Sequence, residues 1–139
     1  MAVSFHEQTR VSLQDRKKLK VFIHETFRLE EQQINLLDII FCTDDYLKKI
    51  NVNFLQHDYY TDIITFNLSE AASKAISGEI YISIDRVKEN SLTHGVSFKN
   101  ELHRIIFHGV LHLCGYKDKK SSDKSLMTEK ENAYLDMYF

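Results

Sequence analysis

Two histidines four residues apart, His108 and His112, stand in a segment whose apolar residues recur at helical spacing. One turn of separation sets both imidazoles on the same side of a helix, where they can reach a single point and offer two nitrogen ligands to a metal ion. Such a pair also arises by chance in many helices, so a third ligand has to be found. Gly115 opens the route: a glycine there ends the helix, lets Tyr116 and Lys117 turn the chain, and brings the Asp118 carboxylate back toward the rings. Two His and one Asp leave a coordination position for water, the arrangement of catalytic rather than closed structural zinc. The expectation is one divalent ion, zinc before others, on His108, His112 and Asp118. Gly109 stands where zinc proteases reading H-E-x-x-H carry their glutamate base, so peptide hydrolysis by that route is not expected.

A helix over 97–114 must present these ligands. Leu102, Ile105, Ile106, Gly109 and Leu113 form its apolar face, and Glu101, Arg104, His108 and His112 an adjoining polar stripe. Glu101, two turns before His108, is a candidate to orient a ligand or hold the attacking water, weighed against an ordinary surface glutamate. Ser97 is the expected cap of this helix. Upstream, the pattern gives a strand at 3–5, an amphipathic helix over 15–31, a buried strand at 34–42, and a helix capped by Thr43 that ends near Phe54. Further strands are expected at 62–68 and 79–84 with a loop over 69–78 between them. Asp85 then caps a short helix through Asn90, and a last helix covers 122–135. Short strands mixed with helices predict an α+β fold: a small mixed β-sheet with helices packed on it, and the metal site at the C-terminal end of a core helix.

The chain of 139 residues has no linker-like stretch, which predicts one domain over 1–139. No apolar run nears the roughly 20 residues that cross a bilayer, and the start lacks a secretion signal, so a cytoplasmic protein with no membrane partner is expected. Cys42 and Cys114 have no C-x-x-C spacing and read as small core residues in a reducing compartment. A net charge of -2 gives no global attraction to nucleic acid. A local basic patch would be needed, and Lys117, Lys119, Lys120 and Lys124 form the densest cationic stretch. His6, His24, His57, His94 and His103 lack ligand spacing and read as surface or hydrogen-bonded histidines.

The stretch His108-Gly-Val-Leu-His112-Leu-Cys-Gly115-Tyr116-Lys117-Asp118 resembles the H-G-x-L-H-L-x-G-Y-D-H signature of the YbeY family, metal-dependent endoribonucleases of bacterial ribosomal RNA maturation. The segment 58–66 is similar to the family's D-x-P-T-D-V-L-S-F, and 78–82 to its G-D-I-x-I strand. The resemblance implies a single-strand-specific endoribonuclease that acts in 16S rRNA 3′-end maturation and ribosome quality control. Single-stranded rRNA precursor would be its substrate, the ribosome or assembly factors its context, and no DNA partner is expected. Three positions depart from the family pattern. Its third histidine falls on Asp118, a harder ligand that brings manganese into consideration beside zinc. The family's aspartate just before that ligand falls on Lys117. The arginine that follows its Asn-x-x-Tyr element falls on Leu55, so the phosphate contact must come from elsewhere. Arg104, Lys117 and Lys119 are candidates for that role, and Thr61, Asp62 and Thr65 for lining the cleft. Hydrolysis of another phosphoester or an amide, and a non-catalytic ribosome-associated module with a structural metal, stand as alternatives.

Overall fold

The computed structural model of the chain describes residues 2–57 and 59–139. Met1 and Asp58, the latter opening the motif at 58–66, lie outside the described residues. Strand β1 (Val3–Glu7) leads through helix α1 (Arg16–Leu29) to β2 (Gln33–Cys42), and α2 (Asp44–Leu55) leads on to β3 (Ile63–Asn67) and β4 (Ala75–Ser83). Three helices follow: α3 (Ile84–His94), α4 (Phe98–Leu113) and α5 (Ser121–Tyr138). The strands order as β1-β2-β4-β3, with β2 parallel to both β1 and β4, and β3 antiparallel to β4. This is the expected small mixed sheet of an α+β fold. No helix among the described residues is long and apolar enough to cross a membrane.

Alternation along the strands divides the sheet into two faces. Leu37, Ile39 and Phe41 of β2 and Ile76, Ile80 and Ile82 of β4 join buried residues of α1, α4 and α5 in the main core. On the other side Cys42 and Ile64 meet Leu47 and Ile50 of α2 in a smaller one. Helix α4 is the centre of the main core. From Glu101 to Leu113 every residue is buried except Arg104, His108 and His112, which share one stripe at four-residue spacing. Leu102, Ile106 and Phe107 are wholly withdrawn from water, worth about 1.5–3 kcal/mol each, so packing fixes where α4 lies. Gly109 sets how closely it lies: a Cβ there would come within 2.9 Å of Ile80 Cδ1 and 3.0 Å of Ile63 Cδ1. Close packing of α4 on the sheet accounts for that glycine.

Several local expectations give way to tertiary context. Strand β4 begins at Ala75, inside the segment expected to be a loop, because residues 75–78 pair with the early part of β2 and small residues there carry no strand signal of their own. Ser83, not Asp85, caps α3, its Oγ accepting from the Arg86 N–H at 3.2 Å. The Asp85 carboxylate instead accepts from the Asp44 N–H at 2.8 Å, in the first turn of α2. Helix α3 extends beyond Asn90 to His94, and α5 reaches Tyr138 because Tyr134, Leu135 and Tyr138 are buried. Glu101, expected on a polar stripe, is only 4% exposed.

His103 is also buried, packed with Phe107, Tyr138 and Phe139. Its Nδ1–H donates to the Lys99 carbonyl at 2.7 Å, while Nε2 meets no partner among the described residues. Burial lowers its pKa below the ordinary 6.5; the bond to Lys99 opposes this, and the charges of Lys99 and Lys18 add to it. Below pH 6.5 the unfolded chain therefore binds the proton more readily than the folded one, so this group's contribution to stability is whole above about 6.5 and is lost as pH falls. Thermal unfolding across roughly pH 7 to 5 should show a shallower loss of Tm for His103→Phe than for the wild type. Identical slopes would mean that His103 is not held neutral.

Candidate metal centre

Helix α4 ends in a Schellman motif. The Tyr116 N–H donates to the Leu111 carbonyl and the Gly115 N–H to that of His112, both at 3.0 Å, with Gly115 at φ +105° where a side chain would be strained. The turn returns the chain over the end of its own helix. There Asp118 Oδ2 lies 3.3 Å from His108 Nε2 and 3.2 Å from His112 Nε2, and the two rings stand 4.5 Å apart at 84°. The three expected ligands thus converge, and they form a group able to hold a metal ion.

What lies behind each ring decides which nitrogen faces the cluster. His108 Nδ1 donates to Glu131 Oε2 of α5 at 2.6 Å, and His112 Nδ1 donates to the Tyr116 carbonyl at 2.9 Å. With both Nδ1 atoms protonated, neutral rings aim two Nε2 lone pairs at a carboxylate oxygen, which is repulsive unless positive charge sits among them. A divalent cation fits this donor set. Bonds of 2.0–2.1 Å at a tetrahedral angle separate two donor atoms by about 3.3 Å, close to the spacing found here. The backing of a ligand imidazole by a carboxylate or carbonyl is the usual outer shell of such sites.

Arg104 is the third member of the stripe on α4. It donates to Glu131 Oε1 at 3.0 Å and to Asn132 Oδ1 at 2.8 Å. It therefore steadies the carboxylate that holds His108, and its guanidinium is already engaged. Glu101 is not a partner of either ligand: it accepts from His94 Nδ1 at 3.3 Å, and Glu131 fills the place expected for it. Burial tends to lower the pKa of His108, but the bond to Glu131 and the charges of Glu131, Asp118 and Asp62 outweigh it, and the net shift is upward. Asp62, hydrogen-bonded by Asn90 at 3.2 Å, is pushed up by burial against the opposing pull of His108.

Tyr116 is anchored from a distant part of the chain. Its hydroxyl donates to Glu30 Oε1 at 2.5 Å, just beyond the end of α1, and Tyr134 and Lys130 of α5 bind the other carboxylate oxygen. Burial would raise the Glu30 pKa, but the two phenols and Lys130 hold it below the usual carboxylate value. The loop whose carbonyl orients His112 is thus tied to both α1 and α5.

A cavity of about 550 Å³ opens onto the cluster, and Thr61, Asp62, Thr65 and Lys119 are among the residues that line it together with His108, His112 and Asp118. Lys117 is exposed and is not among the residues that line it. Leu55 and His57 do line it, so His57 belongs to the cleft rather than to the general surface. Glu131 and Glu30 carry no sequence signal as site residues, and Tyr116 stands in the matched signature with no role beyond the turn.

The family profile described as Endoribonuclease YbeY matches residues 3–138. A protein of Cytophaga hutchinsonii named endoribonuclease YbeY is 47% identical over 96% of this chain and 92% of its own length. One of the same name from Flavobacterium johnsoniae is 40% identical over 98% and 96%. The solution structure of a Thermotoga maritima protein superposes with a TM-score of 0.60 at 26% identity, covering 97% of this chain and 89% of that one.

Proposed function

Because this chain belongs to the endoribonuclease YbeY family, we propose that it hydrolyses single-stranded RNA at a centre formed by His108, His112 and Asp118 around one divalent ion, zinc in the first instance. The observation that carries this is the approach of one Asp118 oxygen to both Nε2 atoms, at 3.2 and 3.3 Å, while each Nδ1 is held from behind. When bound, the ion supplies Lewis-acid charge to a phosphoryl oxygen and brings the pKa of water from 15.7 toward about 7.

The chain's own residues supply position. Glu131, steadied by Arg104, and the Tyr116 carbonyl keep both imidazoles in the tautomer that faces the cleft. Lys119 is the one lysine or arginine among the described residues that line the cavity, and it follows the ligand Asp118 directly. It is the cation for a substrate phosphate in a cleft where Leu55 offers none. Gly109, pressed on the sheet, leaves no carboxylate in the base position of a metalloprotease. The substrate in the cell is ribosomal RNA precursor near the 16S 3′ end, met in the cytoplasm with the ribosome or its assembly factors.

Metal-loaded protein incubated with single-stranded RNA, duplex RNA and casein, with and without chelator, tests the reaction. Cleavage of the single strand that stops with chelator is the expected result. Chelator-sensitive loss of casein with RNA intact would replace the nuclease by an amidase, and metal binding with neither substrate cut would leave a non-catalytic module.

A further inference from the structure

Beyond the end of α2 the chain enters the cavity of the metal cluster through His57 and Tyr59. Tyr59 is 54% exposed, yet it is not loose. Its backbone carbonyl accepts from Asn51 Nδ2 at 3.0 Å, and Asn51 is buried at 2% exposure in α2. Its hydroxyl is bonded to His57 Nδ1 at 3.0 Å, and the imidazole stacks on the phenol ring, centroids 5.3 Å apart and planes within 16°. A tyrosine so exposed gains little by burial from being fixed in this way. What the fixing produces is a preorganised aromatic surface on a cleft wall. That wall also includes Leu55, 40% exposed. Exposed apolar surface gathered at a cleft, with polar groups around it, marks a contact surface rather than a solvated one.

The occupant follows from the chemistry of the two sides. Lys119 and the metal ligands present charge, which suits a phosphodiester, and the side formed by Leu55 and Tyr59 presents an aromatic and apolar surface, which suits what hangs from that backbone. We infer that Tyr59 forms a base-stacking subsite, taking one unpaired nucleobase of the strand whose phosphate lies at the cluster. A base can reach such a wall only when it is unstacked from its neighbours, which single strands allow and duplexes resist. Because every base has a π face, the subsite accepts any of them and selects for strandedness rather than for sequence. This inference rests on the nuclease function proposed above.

The test uses a labelled single-stranded RNA decamer, with binding followed by fluorescence anisotropy and cleavage followed in parallel. Tyr59→Ala should weaken binding and raise KM roughly tenfold, with kcat nearly unchanged, and Tyr59→Trp should restore both. Tyr59→Leu, apolar without a π face, should not. A single abasic residue walked along the decamer should cost the wild type a comparable factor at one position near the cut, and that position-specific loss should vanish in Tyr59→Ala. If the wild type cleaves the RNA and every abasic position costs both proteins the same, the subsite is wrong and the nuclease stands. If the wild type does not cleave RNA, the nuclease falls, and the abasic comparison in binding decides the subsite by itself.

Discussion

Alanine at position 112 is expected to strip the purified protein of its metal and to reduce cleavage of single-stranded RNA by more than a hundredfold. The change removes one of three converging donors and leaves an imidazole and a carboxylate, too few to hold a tetrahedral ion against water. Losing an outer-shell partner alone weakens such sites by roughly 10–100-fold, and a direct ligand should exceed that. The fold should survive, because the His112 side chain is 25% exposed and sits on the one stripe of α4 that the core does not use. Metal content after dialysis, read beside the thermal unfolding midpoint, separates the two effects. A variant that keeps the wild-type metal content would remove His112 from the ligand set.

Glu131→Ala should lower metal affinity by roughly 10–100-fold while all three ligands remain in place. The carboxylate binds His108 Nδ1 at 2.6 Å and takes the Arg104 guanidinium on its other oxygen. Without it the His108 ring is free to rotate or to change tautomer, and Arg104 keeps only Asn132. Glu131→Gln should fall less far, since an amide oxygen still accepts the Nδ1–H but without the charge that strengthens the bond. Competition with a chromophoric chelator gives the affinities. Alanine and glutamine variants that bind as tightly as the wild type would show that His108 is aimed by something other than this contact.

The parts of the site that local spacing controls were legible in the sequence, and the parts supplied by distant packing were not. His108 and His112 follow from the turn of a helix, and Asp118 from a glycine that ends it, so these converge as expected. Glu131 lies 23 residues from His108 on another helix, and no periodicity joins them. Glu101 shows tertiary packing overriding periodicity: the helical wheel puts it in line with Arg104 and His108, but α3 packs against α4 and encloses it near His94. In the short turn after Gly115, Lys117 and Lys119 look alike in sequence, and only the path of the chain sends one into the cavity. The sheet shows the same division. Branched and apolar residues mark β2 and the later half of β4, whereas residues 75–78 become strand only because β2 is there to pair with them.

The tie from Glu30 to Tyr116 and Tyr134, and that from His108 to Glu131, mean that the first helix, the ligand turn and the last helix complete one another. During synthesis the earlier segments leave the ribosome first, and all three metal donors are made before α5, which starts at Ser121. A nascent chain at that stage has all three of these side chains and the Tyr116 carbonyl behind His112, but not the Glu131 carboxylate behind His108. The backing of His108 thus waits on α5, and a chain cut ahead of Glu131 should bind metal as weakly as Glu131→Ala does.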